Sequence, residues 1–130
     1  SVEKNQVEIK EIFEKENVEN ILNKTNSLSK NGSEFAKNVE HELLGKSPTS
    51  LKITFKQIHQ ATEMSLKEAL IMEYRMVQRC QASGDFYEGV RAMLVDKDRN
   101  PEWKPSNIDK VDEIWVNHFF EPLHEKDLKI

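Results

Sequence analysis

Apolar residues recur along this chain three and four positions apart, and no stretch sustains the every-second-residue alternation of a half-buried strand. The pattern predicts an all-α fold, a bundle of about six to seven helices, each with a narrow buried stripe. Val2 to Lys15 is polar, with Ile9, Ile12 and Phe13 on one side, and reads as a first helix with frayed ends. Asn17 is placed to cap a short second helix in which Val18, Ile21 and Leu22 share a face. Thr25 to Ser33, TNSLSKNGS, has the composition of a turn. Ser33 then caps a helix with Phe35, Val39 and Leu43 spaced by four, and Gly45 is positioned to end it in a left-handed cap.

Ser47 and Pro48 join a hydroxyl N-cap to proline at the first helical position. Leu51, Phe55 and Ile58 give the stripe of the helix that follows, and Ile53, off that stripe, implies burial on two sides. Thr62 to Ser65 breaks it. Ser65 and Glu68 make a capping box for the longest helix, Leu66 to Ala82. Apolar residues cover more than one of its faces, which predicts packing between neighbours. Asp85 and Glu88 form a second box, followed by Phe86, Val90, Met93 and Leu94 on one face. Gly89 on that helix predicts a close approach by another helix, and the helix should stop near Lys97. Pro101 and Pro105 bracket Trp103, which is expected to lie over the bundle as a lid. Asn107 to Phe120, capped by Ser106, is the last predicted helix, with Val111, Ile114, Trp115, His118 and Phe119 on its apolar face. Pro122 ends it, and the rest reads as a loose tail.

The run DFYEGVRAMLVDKDRNPEWKP, Asp85 to Pro105, resembles the C-terminal signature of the 3-hydroxyisobutyryl-CoA hydrolase family, in the crotonase (enoyl-CoA hydratase) superfamily. Asp85, Phe86, Glu88, Gly89, Val90, Arg91, Ala92, Leu94, Asp96, Lys97, Asp98, Pro101, Trp103 and Pro105 match its pattern. SPTSLKIT (Ser47 to Thr54) and MEYR (Met72 to Arg75) are similar to the same family. The resemblance covers roughly residues 47–120 and is weak from Ser1 to Gly45. It implies the C-terminal helical part of a crotonase-type enzyme that hydrolyses a branched hydroxyacyl-CoA thioester in valine breakdown, in mitochondria. The expected organisation is one all-α domain over 1–130: a variable helical part at 1–46, a family-like core at 47–123 and a tail at 124–130.

The chain has 130 residues, enough for one real core. Nineteen basic and 23 acidic residues leave a net charge of -4, with no long basic cluster, which argues against a nucleic-acid partner. No run of about 18 apolar residues is present, so no membrane span is expected. The polar opening from Ser1 lacks a signal-peptide pattern, and the expectation is a piece of a longer protein. Cys80, the one cysteine, excludes an internal disulfide and a cysteine-rich zinc site.

Candidate chemistry is sparse. His41, His59, His118 and His124 are scattered, with no metal-ligand spacing. His41 reads as a surface residue and His118 as a partly buried, hydrogen-bonded one. Cys80 reads as a small core residue, Ser47, Ser65 and Ser106 as caps, and Met64, Met72, Met76 and Met93 as packing filler. Glu68, Glu73 and Arg75 on the long helix and Glu88 and Arg91 on the next suggest an interhelical ion pair. Thioester hydrolysis needs donors aimed at an oxyanion and a placed carboxylate, and the isolated glycines here form no such donor nest. By the resemblance, both parts lie in an upstream crotonase core. No catalytic, cofactor-binding or metal residue is therefore expected in this chain, and no cofactor. The expected partners are that missing N-terminal core, acyl-CoA for the whole enzyme, and further copies of the chain held by faces the core would cover. A free-standing helical interaction module is the alternative from another class. A helical acyl-CoA carrier ranks last, because Lys52, Lys56 and Lys67 are dispersed.

Overall fold

A computed structural model describes residues 2–130, so Ser1, counted in the expected domain, lies outside the described residues. Their regular elements are all helical, without a strand among the described residues, as the spacing predicts. They separate into two compact units, one ending at Lys46 and the other Ser47–Ile130.

The first unit holds α1 (Val2–Phe13), α2 (Val18–Lys30) and α3 (Glu34–Leu44). Asn17 caps α2 by accepting from the Asn20 amide (2.8 Å), and Ser33 caps α3 by accepting from the Ala36 amide (3.1 Å), both as expected. Ile12 and Ala36 are fully buried, whereas Ile9 and Phe13 are more than a third exposed. The predicted turn at Thr25 to Ser33 is mostly helix. Thr25 is buried and donates its hydroxyl to the Ile21 carbonyl one turn back (2.7 Å), so its polar group stays satisfied inside α2. The turn shrinks to Asn31 and Gly32, where Gly32 takes φ 96°, a left-handed value natural for glycine. Gly45 follows α3 but sits at φ -84°, in the right-handed region, so the expected left-handed cap is not formed.

The second unit holds α4 (Pro48–Ala61), α5 (Leu66–Gln81), α6 (Gly84–Val90), a π turn (Arg91–Val95), α7 (Glu113–His118) and two short 3₁₀ turns, Ile108–Lys110 and His124–Lys126. Its core is Ile53, Met72, Met76, Val111, Val116 and Phe119, with Ala61, Met64, Cys80 and Phe120 packed against it. Ser47 caps α4 through the Ser50 amide (3.2 Å), and the Ser65–Glu68 box caps α5 (Glu68 amide to Ser65 Oγ, 3.2 Å).

Three stripes are corrected. On α4 the residue off the predicted stripe, Ile53, is the buried one, and Ile58 is exposed. On α5, which packs between α4 and α6 as predicted, only Met72 and Met76 are buried, while Leu66, Leu70 and Val77 face outward, so its apolar surface is wider than the part its neighbours cover. The last predicted helix is shorter and starts later. Asp112, not Ser106, caps α7, accepting from the Ile114 amide (2.7 Å). Val111 lies before the helix in extended backbone, which breaks the register of the predicted face. Of that face Val111 and Phe119 are buried as predicted, joined by Val116, while Ile114 and Trp115 are exposed.

The tail is not loose. Arg75 on α5 donates to both oxygens of Asp127 (2.9 and 2.8 Å), and Arg79 donates to the Glu121 carbonyl (2.6 Å). Lys52 donates to the Val111 carbonyl (3.3 Å), and Lys56 donates to Asn117 and sits over the Phe120 ring. Cations of α4 and α5 thus hold much of the segment from Val111 to Asp127. Arg75 spends its guanidinium there and not on α6, which replaces the ion pair expected between the two helices.

Candidate functional site: a carboxylate clasp beside a cavity

Asp85, Glu88 and Arg91 stand three residues apart along α6 and the π turn, and together they grip a non-helical strap, Asn100 to Pro105. The Asp85 carboxylate accepts from the Ser47 hydroxyl (2.6 Å) and from the Lys104 amide (2.9 Å). Glu88 accepts from the Glu102 amide (2.7 Å) and from two nitrogens of Arg91 (2.8 and 2.7 Å). The geometry matches two periods. Cβ atoms three apart on a helix stand about 5–6 Å apart, close to the roughly 6.6 Å between alternate amides of an extended segment. The expected Asp85–Glu88 capping box is therefore wrong. Ser83 is the N-cap of α6 and makes no side-chain cap bond. Both carboxylates turn to the strap, whose amides have no helical partner to take.

Arg91 continues the grip. It donates to Asp96 (2.8 Å), to Asp98 (2.7 Å) and to the Asn100 carbonyl (3.4 Å). The Arg99 amide donates to the Ala92 carbonyl (3.0 Å), and Lys97 (φ 57°) and Arg99 (φ 55°) take left-handed backbone that ends the helix where the sequence places its end. Hydrogen bonds from Arg91, then from the Glu102 amide, hold the Glu88 carboxyl down at about 2. Arg91 first, then the Asn100 amide, lowers Asp98 as well, and the surrounding carboxylates raise Arg91.

Gly89 answers a close approach, but by Trp103 and not by a helix. A Cβ on Gly89 would sit 3.3 Å from Trp103 Cη2. The indole lies half-buried against α6. The predicted stripe Phe86, Val90, Met93 and Leu94 also exists, but it points away from the chain's own core, and Ala92 is the fully buried residue of this segment.

Beside the clasp is a half-open cavity of about 520 Å³. Ile53, Cys80, Phe86, Trp115 and Phe119 supply apolar wall, and Asp85, Glu88, Glu102 and Lys104 a mostly acidic side. Burial raises the Cys80 thiol, which keeps it protonated and packed, as its helix position predicts. Among the histidines, His41 is exposed, as expected. His118 is half exposed, 3.6 Å from Glu121 and stacked near Trp115, not partly buried as expected. Among the described residues no group of three His, Cys, Asp or Glu is placed to hold a metal ion. No described helix is long and apolar enough to cross a membrane. The polar groups of the motif are thus engaged with one another, and the site reads as architecture.

Comparison with known proteins gives the family. Residues 1–120 match the family described as enoyl-CoA hydratase/isomerase. The chain is 48% identical over 122 residues to the mitochondrial 3-hydroxyisobutyryl-CoA hydrolase of Danio rerio, covering 94% of this chain and 31% of that protein. It is 41% identical over 128 residues to the Homo sapiens protein of the same name, covering 98% of this chain and 32% of that protein. The chain therefore spans about a third of the relatives it matches. An enoyl-CoA hydratase from Rhodobacter sphaeroides 2.4.1 superposes with TM-score 0.88 at 28% identity, over 99% of this chain and 37% of that one. A carnitinyl-CoA dehydratase from Mycobacterium thermoresistibile gives 0.87 at 26%, over 98% and 36%.

Proposed function

Because the chain belongs to the enoyl-CoA hydratase/isomerase family, we propose that it is the C-terminal helical part of a mitochondrial 3-hydroxyisobutyryl-CoA hydrolase, inactive by itself. The carrying observation is the clasp. Asp85, Glu88 and Arg91, the charged residues at the start of the matched signature, all hold the strap, and none is left free to move a proton or stabilise an oxyanion. The identity to hydrolases of that name, at about a third of their length, supports the rest.

On this reading the upstream polypeptide supplies the oxyanion donors and the carboxylate that handles water. This chain holds no catalytic residue. It packs on that core and helps wall the acyl-CoA pocket of an enzyme of valine breakdown. Alone, with its core-facing surfaces bare, it associates into dimers or larger assemblies.

The test is an assay of the 130-residue chain on acyl-CoA thioesters, beside the same residues joined to the upstream portion of the Danio rerio relative. The expected result is turnover by the joined form on 3-hydroxyisobutyryl-CoA, and none by the chain above a heat-treated control. Turnover by the chain alone overturns the inactive-part reading, and a folded but inert joined form counts against the hydrolase. Sedimentation at low micromolar concentration returning only monomer counts against self-association.

A further inference from the structure

The helical segment formed by α6 and the π turn is amphipathic the wrong way round for a surface element. A helix at a water boundary turns its charges out and its apolar residues in. Here the charged side, Asp85, Glu88 and Arg91, is turned onto the chain's own strap. The opposite side is apolar and bare: Phe86 is 45% exposed, Tyr87 64%, Met93 49%, Leu94 69% and Val95 69%. Arg91 stands in line between Tyr87 and Val95, but its guanidinium is drawn aside to Glu88, Asp96 and Asp98, and Phe86, Met93 and Leu94 carry no charge. Phe86 and Tyr87 also line the half-open cavity, so face and cavity form one continuous surface.

We infer that this face, with the adjoining cavity, is where the upstream part of the polypeptide docks. The inference rests on the chain being the C-terminal portion of a longer enzyme, and it goes further by naming which side of the chain is covered. Two observations choose the occupant. The chain accounts for 31% of its Danio rerio relative, so most of such a polypeptide lies outside it and is available in cis. A second copy is the weaker occupant, held only where the upstream part is absent, because a two-fold contact here would set the acidic cavity side, Asp85, Glu88 and Glu102 against one Lys104, on its own image. The outward side of α5 is a weaker candidate. Leu66, Leu70 and Val77 share that line with exposed Glu73, whose carboxylate a dry interface would have to desolvate.

The test introduces Leu94→Glu with Val95→Glu into two forms, the 130-residue chain and the chain joined to the upstream portion of the Danio rerio relative. Helicity and melting temperature are read in each, with hydrogen exchange over residues 86–95. In the chain alone, at a concentration where sedimentation returns monomer, both side chains are already in water, so Tm should move by no more than about 1 °C. In the joined form two carboxylates enter a covered apolar face, and Tm should fall by more than about 4 °C. Wild-type amides at 86–95 should exchange more slowly in the joined form than in the chain alone.

An unchanged joined form overturns the inference, as does an equal loss in both forms, which would make the face part of the chain's own core. Leu66→Glu is the control on α5, and an equal loss from it removes the assignment to this face. If the double variant turns a self-associated chain into monomer but leaves the joined form unchanged, the occupant is a second copy and the inference fails. Thioester turnover by the wild-type joined form is read separately, so failure of the hydrolase reading and failure of the docking face remain distinguishable.

Discussion

Glu88 and Arg91, three residues apart, meet through two parallel hydrogen bonds of 2.8 and 2.7 Å, and the oxygen at 2.7 Å also takes the Glu102 amide. One carboxylate therefore ties a helical side chain to the strap backbone. Arg91→Lys keeps the charge but cannot reproduce a planar two-point contact while also reaching Asp96 and Asp98. The strap should loosen, seen as faster amide exchange at Glu102 and Lys104, with helicity of the rest retained. Unchanged exchange would show that the strap is held without Arg91.

The same pair sets a pH dependence. Glu88 is held at about 2 in the folded chain, against about 4.3 for an unperturbed glutamate. Asp98 and Asp127 are lowered too. As pH falls from about 4.3 toward 2, the unfolded chain binds protons that the folded chain does not. The stabilisation is thus present above that window and lost through it. In a Trp115→Phe background, Trp103 fluorescence should report strap release between pH 5 and 2, and Glu88→Gln should flatten the curve. A curve of the same shape in both proteins would remove Glu88 from the explanation.

Local signals were legible where one residue fixes one bond. Asn17, Ser33, Ser47 and Ser65 cap as their positions predict. What spacing alone does not carry is which side of a stripe is inward. Phe86, Val90, Met93 and Leu94 form the stripe that a periodicity argument finds, yet most of it is bare, because carboxylates at 85 and 88 claim the inward side for strap amides some fifteen residues downstream. Likewise Val111 looks like the first position of a helical face, and one extended residue before Asp112 shifts that face. The tail was illegible for a similar reason. Its anchors, Arg75 and Arg79, sit 52 and 42 residues upstream of their partners.

Gly89 tests the packing of the strap. Ala there gains about 1 kcal/mol of helix propensity, but its Cβ lands 3.3 Å from the Trp103 ring. The indole is carried on a strap and not in a closed core, so a shift of a few tenths of an ångström relieves the contact. Gly89→Ala should therefore leave thermal stability the same or slightly higher while changing Trp103 fluorescence. Gly89→Val adds two methyls at the same spot and a β-branched residue, and should expel the ring and lower Tm. Equal fluorescence for wild type and Gly89→Val would mean the ring does not rest there.

Ser47 does two jobs with one hydroxyl. It accepts from the Ser50 amide to cap α4 and donates to Asp85 (3.2 and 2.6 Å). Ser47 is only 5% exposed, so water cannot readily replace either partner. Ser47→Ala should cost about 1 kcal/mol for the cap and also leave the Asp85 carboxylate one donor short. Asp85→Ala should leave the Ser47 hydroxyl without its acceptor and release the Lys104 amide. Because both variants break the same bond, their double variant should be less destabilised than the sum, by about 1 kcal/mol. Simple additivity in chemical denaturation would show that the two residues act independently, and that α4 and the clasp are not joined through this hydroxyl.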